Sequence, residues 1–118
     1  MKNENKFQAE LIREIKSELP GCFVIKNDGS NIPQGFPDLL ILYGKRWGAL
    51  ECKRDSAYLN DPSMKEPNQD YYVRLLNSMS FSRFISPENK EEVLNELYST
   101  LGFNRPARIS RSKQVPLD

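Results

Sequence analysis

The sequence predicts an α/β domain, a mixed central sheet with helices packed against it. Three observations lead there. Apolar residues recur at helical spacing near both ends of the chain and once in its middle. Between them lie short apolar runs of strand length, bounded by Gly, Pro, Asn and Asp. Two of these runs are joined by a hairpin-sized connection, while the last is reached only across a helix, so antiparallel and parallel pairing must coexist.

Phe7, Leu11, Ile15 and Leu19 recur at four-residue steps, with Ile12 alongside, which makes residues 4–19 one amphipathic helix. Pro20-Gly21 stops it. Residues 22–26, Cys-Phe-Val-Ile-Lys, read as a first strand, closed by the turn-rich Asn27-Asp28-Gly29-Ser30. A loop carrying Pro33, Gly35 and Pro37 leads into a second strand over residues 39–43. Gly44-Lys45-Arg46 turns the chain, and residues 47–53 return as a third strand. Residues 54–66 are polar and proline-punctuated, a long loop of the kind that often carries function. Residues 67–79 form a second helix with Tyr72, Val73, Leu76 and Met79 on one face, and residues 81–85 a fourth strand. Ser86-Pro87-Glu88 reads as a helix start, with Ser86 as the cap and Pro87 in the first turn. That last helix runs to about Leu101 and buries Val93, Leu94, Leu97 and Leu101. The order is α-β-β-β-α-β-α.

At 118 residues the chain suits a single domain, expected over residues 1–103, followed by a tail over 104–118. Arg105, Arg108, Arg111 and Lys113 make that tail basic; it reads equally as a phosphate-binding arm or as a solvated end. No apolar run approaches the ~18 residues of a membrane span, and the first residues lack the apolar core of a signal peptide. A cytosolic protein, with no membrane partner, is the expectation. The net charge of +1 decides nothing about nucleic acid. Histidine is absent and there are only two cysteines, Cys22 and Cys52. Ser-His-Asp and Cys-His catalysis, a four-thiolate zinc site and a disulfide scaffold are thereby excluded. Hydrolytic chemistry in this chain has to rest on carboxylates, lysine and metal-activated water.

One constellation has that chemistry. Asp38 opens the second strand behind Pro37, and Glu51 and Lys53 lie two residues apart at the end of the third. Alternation puts Glu51 and Lys53 on one face and Leu50 and Cys52 on the other. The hairpin brings the end of the third strand back beside the start of the second, so Asp38 and Glu51 can converge, with Lys53 next to them. Two such carboxylates repel unless one keeps its proton or a cation lies between them. Oxygen-only ligation suits Mg²⁺ or Mn²⁺, and the lysine is placed to orient a water and stabilise a phosphorane-like transition state. Singly, Asp after Pro is an ordinary turn residue, and Glu-x-Lys an ordinary solvated strand face; only jointly do they point to catalysis.

The string Gly35-Phe36-Pro37-Asp38-Leu39-Leu40-Ile41, Gly44, then Ala49-Leu50-Glu51-Cys52-Lys53 resembles the core signature of the PD-(D/E)xK nuclease superfamily. It is most similar to the virus-type replication-repair nuclease (VRR-NUC) branch and, more distantly, to Holliday-junction resolvases. The resemblance covers about residues 4–86 and implies a restriction-endonuclease-like core with the element order read above. It implies a Mg²⁺- or Mn²⁺-dependent DNA endonuclease with Asp38, Glu51 and Lys53 at its centre. That branch places a glutamate four residues before a glutamine in its first helix, and Glu4 and Gln8 have this spacing. Glu4 thus joins Asp38 and Glu51 as a candidate metal ligand, with Glu10 the weaker choice, against the plain alternative of a solvated first turn. The branch also opens the helix after the catalytic strand with a glutamine, which here is Gln69; the long loop before it departs from the compact members.

Relatives of this size act as homodimers on branched DNA, so a junction- or flap-selective repair enzyme is the first expectation. A site-specific endonuclease, or a non-catalytic DNA-binding module on the same fold, is the alternative. Cys52 reads as a small buried hydrophobe. Trp47, Tyr71 and Tyr72 read as packing rather than base-stacking residues.

Overall fold

The computed structural model describes residues 2–102, with side chains from residue 4 onward; the basic tail, with Arg105, Arg108, Arg111 and Lys113, lies outside the described residues. The chain begins with helix α1 (Lys2–Glu18), followed by strands β1 (Phe23–Lys26), β2 (Leu39–Tyr43) and β3 (Arg46–Cys52). Helix α2 (Gln69–Met79), strand β4 (Ser82–Ile85) and helix α3 (Lys90–Leu101) complete it. The sheet runs in the order β1-β2-β3-β4, antiparallel across the first two pairs and parallel between β3 and β4. The expected α/β class and mixed sheet are what forms. No helix among the described residues is long and apolar enough to cross a membrane.

Strand alternation divides the sheet into two unlike faces. On one, Val24, Leu39, Ile41, Leu50 and Cys52 pack with Phe7, Leu11, Ile15 and Leu19 of α1 and with Val93, Leu94 and Leu97 of α3. Gly48 lets α3 come close: a Cβ there would stand 2.9 Å from Leu97 Cδ1. An ion pair of 2.6 Å between Glu14 and Lys90 ties the two helices together on the outside. Cys52, wholly buried, points into this core as the alternation requires. The opposite face carries Glu51 and is only half covered, because α2 packs on β3 and β4.

Four elements differ from expectation. Lys53 lies one residue beyond β3, although its N–H still donates to Ile85 O at 2.8 Å. Residues 54–66 are not an open loop: two 3₁₀ turns, Ser56–Leu59 and Pro62–Met64, fold it down, and Asp55 and Asp61 cap them. Tyr58 is buried there against Phe84, ring centroids 5.1 Å apart. Met79 is 62% exposed rather than inward, because α2 buries Gln69, Val73 and Leu76 and ends before another turn can reach the sheet. Helix α3 starts at Lys90, not at Ser86. The Asn89 side chain turns back, accepting from Ser86 N at 2.8 Å and donating to Phe84 O at 3.3 Å, so residues 86–89 form a separate turn.

Leu97 joins α3 to the sheet with no exposed surface. Leu97→Ala should lower the unfolding free energy by about 2–4 kcal/mol, the usual loss for a buried leucine whose cavity cannot fully collapse. Urea denaturation should show a lower midpoint at unchanged slope.

Candidate active site

The β2–β3 register sets the site. Leu39 pairs with Leu50, so one step outward Asp38 stands across from Glu51 at the end of the hairpin. On the other side Asn27 N donates to Asp38 O at 2.8 Å, and Asn27 Nδ2 donates to the carbonyls of Phe36 and Pro37 at 3.1 and 3.3 Å. Asn27 therefore clamps the three residues that deliver Asp38. The Asp38 carboxylate accepts from Cys52 N at 2.9 Å through Oδ2, which locks it toward β3.

Gly35 explains how this loop meets α2. It holds φ +93°, and a Cβ there would lie 2.5 Å from Pro67 O and 2.7 Å from Asn68 Cβ. Only glycine permits both the backbone angle and this approach. The contact fixes the start of α2, where Asn68 caps in the left-handed region and Gln69 turns inward, 7% exposed.

Gln69 is the hub. Its Nε2 donates to Glu51 Oε2 at 2.8 Å, while its Oε1 accepts from Lys53 Nζ at 2.8 Å and from Glu66 N at 3.1 Å. The ammonium has no acceptor and so requires the amide oxygen on its side, which turns Nε2 toward Glu51. Lys53 Nζ donates a second bond to Met64 O at 2.9 Å, so the folded loop holds the lysine from behind. One of its three N–H groups remains for a water or a phosphate oxygen.

Glu51 is 3% exposed. Burial first, and then the charge of Asp38, push its pKa up to about 9 against the opposing pull of Lys53. Asp38 is raised too, by burial first; its bond from Cys52 N opposes the rise and the charge of Glu4 adds to it. Burial likewise pushes the Cys52 thiol up, which keeps it inert.

The structure thus brings Asp38, Glu51, Lys53 and Gln69 to one place. Glu4, half-buried in the first turn of α1, acts on both carboxylates through its charge. Among the described residues no group of three or more Cys, Asp or Glu side chains is gathered to hold an ion by itself; of the expected ligands Glu4, Asp38 and Glu51, the strand register sets Asp38 and Glu51 across from each other. Glu10 lines a groove with Lys6, Arg54 and Lys90. Gln8, one turn beyond Glu4, is buried and its Oε1 has no hydrogen-bond partner among the described residues.

The donors fit a hard cation. Asp38 and Glu51 are oxygen donors on neighbouring strands whose mutual repulsion a positive ion would relieve, and Mg²⁺ commonly takes one or two carboxylates and keeps several waters. Gly35 opens the signature string, but its contact with the start of α2 has no mark in the sequence; Asn27 shows there only as a turn residue, and the Met64 carbonyl carries no motif. No known protein family, curated protein or solved structure matches the chain. What the site can do therefore follows from its own residues.

Two outcomes test this geometry. Gly35→Ala should cost about 2 kcal/mol or more in unfolding free energy, from backbone strain plus the clash with Pro67 and Asn68. Glu51 also predicts a pH effect. The folded chain keeps a proton there up to about pH 9, whereas the unfolded chain releases it near 4.5. Metal-free stability should therefore fall as pH rises between those values. Glu51→Gln should fall less steeply in urea melts with EDTA; parallel curves for the two proteins would mean that Glu51 ionises normally.

Proposed function

We propose that this chain is a divalent-metal-dependent DNA endonuclease of the PD-(D/E)xK type, similar to the VRR-NUC branch and acting on branched DNA. The observation that carries this reading is the chain of bonds from Lys53 through Gln69 to Glu51, with Asp38 directly across the hairpin. A solvated Glu-x-Lys strand face would not bury its carboxylate or give it a dedicated glutamine donor.

Asp38 and Glu51 would hold Mg²⁺ or Mn²⁺, which supplies Lewis acidity to the attacking water and offsets charge on the phosphate. Glu51 must give up its proton for this, so metal affinity rises with pH. Gln69 keeps Lys53 at a fixed distance from the carboxylates. The lysine's remaining N–H then points a water or a non-bridging oxygen for in-line attack. The Cys52 N–H prevents the Asp38 carboxylate from rotating away.

The test is cleavage of supercoiled plasmid and of synthetic flaps and four-way junctions. Activity is expected with Mg²⁺ or Mn²⁺, poor activity with Ca²⁺ and none in EDTA. Asp38→Ala and Glu51→Ala should each remove at least ~99% of it while sparing DNA binding, and Gln69→Ala should lower kcat by about 10- to 100-fold. Retention of substantial cleavage in either carboxylate variant, or robust cutting without metal, would overturn the proposal. Cutting both strands of a junction needs two such centres, so paired cuts would accompany a two-fold dimer in sedimentation. A monomer that makes single nicks would move the substrate toward flaps.

A further inference from the structure

The half of the sheet face that α2 leaves open is not polar. Phe23 and Ile25, on the edge strand β1, are 68% and 47% exposed. In register with them, Phe23 pairs with Leu42 and Leu42 with Trp47, while Ile25 pairs with Leu40 and Leu40 with Ala49. Leu40, Leu42 and Trp47 are half-buried, so two apolar rows run side by side across three strands. Single exposed apolar residues need no explanation, but a contiguous patch does.

The next row on the same face is Asn27, Asp38 and Glu51. Two residues along a strand span about 7 Å. The Ile25–Leu40 row therefore lies one such step from the carboxylate pair, and the Phe23–Leu42–Trp47 row two steps. The apolar rows contain no acid, and beyond them Lys45 and Arg46 are exposed at the hairpin tip. A phosphodiester held at Asp38 and Glu51 would extend its neighbouring sugars and bases over this patch and its backbone toward those cations.

The area decides between occupants. Phe23 and Ile25 with the exposed parts of their neighbours amount to roughly 300 Å², against about 800 Å² per partner in a stable protein interface. A second copy would be short of surface here. One or two flat bases match it, and an exposed phenyl ring on a sheet is a stacking platform for any base.

Resting on the nuclease reading above, we propose that Phe23, with Ile25 and Leu40, seats unpaired nucleotides flanking the scissile phosphate.

Trp47 is the only tryptophan, so its emission reports on this face. The full chain is titrated in EDTA with a short oligothymidylate and with a blunt duplex of equal length. Oligothymidylate should quench Trp47, and Phe23→Ala should weaken its binding by about tenfold, with Phe23→Tyr restoring it. Because Phe23 is largely exposed, the thermal midpoint of Phe23→Ala should stay close to the parent and report intact folding. Binding of oligothymidylate unaffected by Phe23→Ala would overturn the platform, as would Trp47 emission that changes on protein dilution with loss of a dimer, which would put a second copy on this face. Metal is absent throughout, so the outcome is separate from that of the nuclease: loss of plasmid cleavage would leave base stacking intact, and loss of stacking would leave cleavage intact.

Discussion

Burying the Glu51 carboxyl beneath α2 is the constraint around which the rest of the site is built. A carboxylate taken out of water is unfavourable unless it keeps a proton, gains donors or meets a cation. Here all three routes are open at once. The group sits far above the usual carboxylate range, Gln69 donates to it, and Lys53 lies beyond Gln69. Each of these compensations demands something of a distant element. Gln69 must open α2 at the right height, the loop over residues 54–66 must fold back to bring the Met64 carbonyl to Lys53, and Gly35 must let the preceding loop touch Asn68.

The two faces of the sheet divide the labour. The face toward α1 and α3 is a closed apolar core that fixes strand register, and the register in turn decides which side chains oppose each other. Asp38 meets Glu51 only because Leu39 pairs with Leu50, and a slip of one residue would turn every core side chain outward. The register is therefore strongly held by the burial of Leu39, Ile41 and Leu50 on the far side. On the other face α2 shelters β3 and β4 and leaves β1 and β2 open, so the carboxylate pair stands at the boundary between covered and accessible surface.

Strand alternation and the short hairpin made Asp38, Glu51 and Lys53 legible as one cluster, because both are local rules with fixed periods. Gln69 was legible through family resemblance, and its place at the head of α2 agrees with that reading. Glu4 was less tractable. Its position on α1 follows from periodicity, but its electrostatic influence on the pair depends on how α1 packs against the sheet. Met79 and the start of α3 differ from the periodic expectation for related reasons: helical periodicity does not say where a helix outruns the sheet, and the Asn89 side chain folds residues 86–89 into a separate turn.

By itself the sequence determined the element order, the mixed sheet, the apolar core and the convergence of two carboxylates with a lysine, since each depends on residue spacing within one or two elements. Only the tertiary structure decided that Glu51 is buried with its pKa raised, that Gln69 joins it to Lys53, that Asn27 and the Cys52 N–H hold Asp38 in place, and that Gly35 meets the start of α2. Only there, too, does the open apolar half of the face adjoin the acids. These depend on backbone carbonyls, close approaches and uncovered surface, which arise when elements distant in the chain pack together and cannot be read from the spacing of residues within one element.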